Sequence, residues 1–106
     1  MKITIKGNEV ALRYTIKGLI LFETVKSQVQ GGGNLFDTIT LIWCFVRTEL
    51  ERAGSDYNPT LEQFIDWIDE EPKEYKRCLE WLTAEQARQT ELLGGDDDEK
   101  KSLPQP

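Results

Sequence analysis

The chain has 106 residues, 13 of them Lys or Arg and 19 Asp or Glu, with no histidine and a formal net charge of −6. That length fits one domain with a modest core, and the charge disfavours the clustered cationic surface on which sequence-independent nucleic-acid binding depends. Without histidine there is no Ser/His or Cys/His catalysis and no imidazole metal site, so the expectation is a protein that is not an enzyme, with no catalytic residue, cofactor or metal.

The opening MKITIKGNEVALRY alternates apolar and polar residues: Ile3 and Ile5, then Val10, Leu12 and Tyr14. Gly7-Asn8, residues that tolerate positive φ, separate the two runs, and the pattern predicts a β-hairpin over residues 2 to 14 with one buried face. Such alternation is no apolar secretory segment, so Cys44 and Cys78 are expected to be reduced core residues of a soluble, intracellular protein. Thr15 is placed to cap a helix over 15 to 28, with Ile16, Leu19, Ile20 and Phe22 as its stripe and a penalty of about 1 kcal/mol at Gly18. Gln30-Gly31-Gly32-Gly33 then predicts a flexible loop, and Asn34-Leu35 after it lacks the Lys-Ser or Lys-Thr of a phosphate cradle.

In NLFDTITLIWCFVRTELERAG, Asn34 is the expected N-cap and Gly54 the C-terminal stop. Leu35, Phe36, Ile39, Ile42, Trp43, Val46, Leu50 and Ala53 share one helical face, the expected core. Leu41 and Phe45 point the other way, an apolar excess that something must cover. The run from Leu35 to Val46, interrupted by Asp37, is well short of the ~20 residues that span a bilayer, so no membrane partner is expected. Thr60 and Gln63 form a capping box for a short helix carrying Leu61, Phe64, Ile65 and Ile68. Pro72 opens a further helix, with Tyr75, Cys78, Leu79 and Leu82 as its stripe.

The fold class expected is α+β: an N-terminal β-hairpin packed on a small bundle of about four helices. Residues 1–93 make the single domain and 94–106 a disordered acidic tail.

The acidic run Asp66, Asp69, Glu70 and Glu71 lacks the spacing and glycine of a calcium loop and reads as a solvated face, as does Asp96-Asp97-Asp98 in the tail. Glu23 has no acid, nucleophile or oxyanion donor beside it that would make it a general base. Trp43, Trp67 and Trp81 lack the interleaved cations of a base-stacking platform. Leu41 and Phe45, with Trp67 and Trp81, are the candidate partner contacts. For Leu41 and Phe45 two alternatives stay open: the C-terminal helix covers them as core, or they line a groove for a partner helix or a second subunit.

Three segments carry a resemblance. MKITIKGNEVALRYTIKGLILFE, a hairpin and a helix with the aromatic-acidic pair Phe22-Glu23, resembles the start of the tail assembly chaperones of long-tailed bacteriophages and prophages. NPTLEQFIDWIDEEP and the central TLIWCFV are similar to theirs, and in arrangement the resemblance spans roughly residues 1 to 82. The GGG loop and the heavy tryptophan content depart from the family's simplest picture. The resemblance implies a chaperone in the host cytoplasm that binds the tape measure protein, keeps it soluble and helps tail tube subunits polymerise around it, with self-association an open alternative. Genes of that family are often read in two frames, and Lys100-Lys101 is where a slip-prone codon pair would fall. The rival reading is an acidic regulatory or inhibitory protein that occupies a basic surface on its partner.

Overall fold

The two alternating runs pair antiparallel as β1 (Lys2–Ile5) and β2 (Asn8–Ala11), with Ile3 opposite Val10 and Ile5 opposite Asn8. The structure is a computed structural model that describes residues 1–28 and 32–94; the expectations for Gln30-Gly31, for the tail beyond residue 94 and for Lys100-Lys101 lie outside it. The turn is centred on Lys6 and Gly7, at φ 50° and 81°, and not on Gly7-Asn8. Positive φ at both central residues is what a two-residue hairpin requires to follow the strand twist. Asn8 instead begins β2, and its side-chain amide donates to the carbonyls of Ile5 (3.2 Å) and Lys6 (3.1 Å). A turn on Gly7-Asn8 would slide the pairing by two residues, an even shift that leaves the same side chains on the inner face. Ile3, Ile5, Val10 and Leu12 are all buried there.

Among the described residues four helices follow: α1 (Ile16–Gln28), α2 (Asn34–Arg52), α3 (Leu61–Glu70) and α4 (Pro72–Gly94). Thr15 Oγ accepts from the Gly18 amide at 3.1 Å, the expected cap of α1. The helix runs antiparallel to α2, pinned by Lys17–Glu51 (3.0 Å) at one end and Lys26–Asp37 (2.6 Å) at the other.

α2 is the centre of the molecule, and the hairpin, α1 and α3 all pack on it. Its buried residues run nearly all round: Ile39, Thr40, Ile42, Trp43, Cys44, Phe45, Val46, Thr48, Glu49 and Leu50. Leu35 and Ala53, expected on the core face, lie outside it at the two ends. The N-cap is Gly33, without a side-chain cap, and Asn34 is already helical. At the other end Gly54 takes φ 72° and the last carbonyls are closed by Gly54 N–H to Glu51 O and Ser55 N–H to Leu50 O, both 3.0 Å, the Schellman arrangement.

The polar groups inside α2 are satisfied. Thr40 and Thr48 donate to the carbonyls of Phe36 (2.7 Å) and Phe45 (3.1 Å). Glu49 is 4% exposed, and its Oε1 accepts from Arg13 Nε (3.2 Å) and Arg52 Nη2 (3.0 Å). Arg13 lies two residues beyond the end of β2, so this carboxylate ties the hairpin's trailing segment to α2 through charge-assisted bonds.

At α3 the capping box is complete: Thr60 Oγ accepts from Gln63 N–H (3.1 Å) and Gln63 Oε1 from Thr60 N–H (2.9 Å). Thr60→Ala should therefore lower stability by about 1 kcal/mol, read as a shifted urea midpoint at unchanged slope. Pro72 opens α4, which buries Cys78 and Leu82.

Candidate functional site

The sequence of α1, IKGLILFETVKSQ, carries apolar residues on more of its circumference than one neighbour can cover. Gly18 decides which side faces inward. It is the one fully buried residue of the helix, and a Cβ built on it would lie 2.4 Å from Phe45 Cδ1. Only a glycine lets the α1 backbone come this close to the Phe45 ring. Leu21, Phe22 and Val25 continue the contact, half-buried against the core.

Residues two positions either side of Gly18 are turned about 200° from it and so point away from α2. These are Ile16 and Ile20, 71% and 58% exposed. Four apart, they are neighbours on the helix surface, and Lys17, Glu23, Thr24 and Ser27 around them are exposed too. Leu35, at the start of α2, is 67% exposed as well. Among the described residues, the two exposed large apolar side chains that neighbour each other thus stand on the outer face of α1. Of the stripe expected for α1, Leu19 and Phe22 pack half-buried against the core while Ile16 and Ile20 lie outside, and the inward side is built on Gly18.

The four candidate partner contacts separate. Phe45 is 0% exposed, with the Tyr14 ring at 5.0 Å on one side and Trp81 edge-on at 5.7 Å and 86° on another. Of the two alternatives for this residue, the fold takes core. Trp67, 2% exposed, stacks on Phe64 at 5.5 Å and belongs to the α3 core contact, well apart from the Phe45 cluster in the chain. Neither Phe45 nor Trp67 offers surface to a partner in this fold. Leu41 and Trp81 are half-buried and packed against the core, and Trp81 is brought to Phe45 while Trp67 is not.

Other groups with chemistry are occupied or inert. Cys44 and Cys78 are free and buried, and desolvation pushes both thiols up to about 12, so almost no thiolate exists at neutral pH. A polar cleft of about 550 Å³ lies between the hairpin and the α3–α4 corner, lined by Lys2, Lys6, Glu70, Glu74 and Arg77. Two ion pairs cross it, Lys6 with Glu70 at 2.6 Å, which raises the Lys6 pKa, and Arg77 with Glu74 at 2.7 Å, while Lys2 lies 4.0 Å from Glu9 and Glu71 adds a further carboxylate to the lining. Among the described residues no three Cys, Asp or Glu side chains are grouped as metal ligands, and no helix is long and apolar enough to cross a membrane. No family model, no curated protein and no solved structure matches the chain.

Proposed function

We propose that the protein is a tail assembly chaperone of the kind its sequence resembles, a non-catalytic adaptor that binds the tape measure protein and assists assembly of the tail tube. The observation that carries this reading is the outer face of α1, where Ile16 and Ile20 stand in solvent one helical turn apart. Exposed apolar side chains at this spacing suit the groove-side anchors of an amphipathic client helix, since such helices present their own apolar residues at the same period. A long helical client prone to aggregation presents many such stripes, and an adaptor that covers them keeps the client soluble by binding it before it self-associates.

Co-expression with the proposed tape measure client is the test. The unaltered chain should keep that client in the soluble fraction and co-purify with it. Ile16→Ser with Ile20→Ser should leave the melting temperature within a few degrees, because exposed apolar residues contribute little to folding, yet lose the client. Retention of the client by this double variant would reject the α1 face, and absence of any interaction by the unaltered chain would reject the chaperone reading.

A further inference from the structure

We infer that the free edge of β1 is a docking site for an extended polypeptide segment of a partner protein, which adds to the hairpin as a third strand. The phase of the ladder decides which residues face that edge. Met1 and Leu12 exchange both backbone hydrogen bonds, Leu12 N–H to Met1 O at 2.6 Å and the Met1 ammonium to Leu12 O at 3.3 Å. With Ile3 opposite Val10 and Ile5 opposite Asn8, the backbone groups of Met1, Ile3 and Ile5 all turn toward β2. Lys2 and Thr4 alternate with them and turn theirs outward. Thr4 N–H and C=O have no hydrogen-bond partner among the described residues. The Lys2 carbonyl shows that this edge accepts donors from outside the hairpin, because Arg77 Nη2 donates to it at 3.2 Å. A guanidinium N–H from α4 thus stands where the amide of a further strand would.

This edge borders the cleft of about 550 Å³ between the hairpin and the α3–α4 corner, whose lining includes Lys2, Ile3, Thr4 and Lys6. A volume of that size takes a short extended segment and not a whole helix. Charge does not select the occupant: Lys2, Lys6 and Arg77 are balanced in the lining by Glu70, Glu71 and Glu74, so neither a polyanion nor a polycation is favoured. What is left without a partner is backbone. Only an extended chain repeats N–H and C=O groups at the spacing of a strand edge, so the occupant is a strand with little net charge, held through its main chain. The Lys6–Glu70 bridge across the cleft joins side chains 54% and 55% exposed and yields at little cost. A second copy of the chain fits poorly, because pairing two β1 edges antiparallel about Thr4 sets each Lys2 opposite the other copy's Lys6. The site is separate from the outer face of α1 and stands whether or not the client is a tape measure protein.

The test follows amide hydrogen exchange of the full chain by NMR, alone and with the N-acetylated, C-amidated peptide Thr-Val-Thr-Val-Thr. In the free chain the Thr4 amide should exchange fast, while those of Ile3 and Ile5, bonded to β2, are protected. With the peptide at about ten times its dissociation constant, exchange at Thr4 should slow about tenfold. Glu9 and Ala11, which face the opposite edge of the hairpin, should not change. A twin peptide N-methylated at every residue has no N–H to donate and cannot approach as a strand, so it should protect nothing. Thr4→Pro removes the outward N–H and leaves the ladder intact, since proline is tolerated on a strand edge. Its melting temperature should stay within a few degrees, and its affinity for the peptide, read from the Ile5 amide shift, should fall about tenfold. Protection at Glu9 and Ala11 with none at Thr4, equal effects of the N-methylated twin, or no binding of the unmodified peptide would overturn the assignment. So would a Thr4 amide already protected in the free chain by self-association. Exchange on the unaltered chain decides the matter even if Thr4→Pro fails to fold.

Discussion

Phe45→Ala should lower the stability of the domain by about 3–5 kcal/mol, the largest effect expected of any single change discussed here. The ring is fully buried among Tyr14, Trp81 and the backbone of Gly18. Collapse cannot refill the space it leaves, because the residue across from it on α1 has no side chain to move in. For a domain of this size the loss corresponds to a fall in Tm on the order of 15 °C or more. Urea denaturation followed by tryptophan fluorescence measures it. A midpoint close to that of the unaltered protein would place Phe45 on the surface and return it to the set of partner contacts.

Gly18→Ala should be the second most damaging, with the opposite sign from the same change elsewhere. In an exposed helix interior, Gly to Ala gains about 1 kcal/mol. Here the new methyl carbon would sit 2.4 Å from Phe45 Cδ1 and 2.7 Å from Cε1, inside a side chain that has no room to retreat. Overpacking of this kind costs about 1–3 kcal/mol net. Phe45→Leu removes the ring edge that the methyl meets, so Gly18→Ala in that background should be far better tolerated. A double-mutant cycle by chemical denaturation reads the coupling, and additive losses would show that the two residues do not meet.

Much of the fold was legible because its signals are local. Alternation at Ile3, Ile5, Val10 and Leu12, the Thr15 cap, the Thr60/Gln63 box, Gly54 and Pro72 each act over a few residues, and each stands where expected. The hairpin turn was misplaced by one residue because an even register shift keeps the hydrophobic pattern intact, leaving only turn geometry to decide between Lys6-Gly7 and Gly7-Asn8. Asn34 lost the cap because Gly33 already supplies the extended residue before the first helical turn.

The candidate site was the less legible part, for a physical reason. α2 shows its apolar excess openly, but the excess is covered: Tyr14, α1 and Trp81 close over Phe45. α1 has apolar residues on most sides, so its periodicity does not say which face turns inward. Gly18 says it, once read as a place of close approach and not as a flaw in the helix. From that residue the outward direction of Ile16 and Ile20 follows by helical geometry alone.

Under the proposed function, the apolar surface that meets the client is the outer face of α1, and not the Leu41/Phe45 side of α2. Photo-crosslinking distinguishes the two surfaces: a photoreactive side chain is placed at position 20 in one preparation and at position 41 in another, each is co-expressed with the tape measure protein proposed as the client, and the crosslinked species are identified by mass. An efficient adduct is expected between position 20 and the client, and little or none from position 41, which is half-buried against the core. An adduct from position 41 with none from position 20 would contradict it.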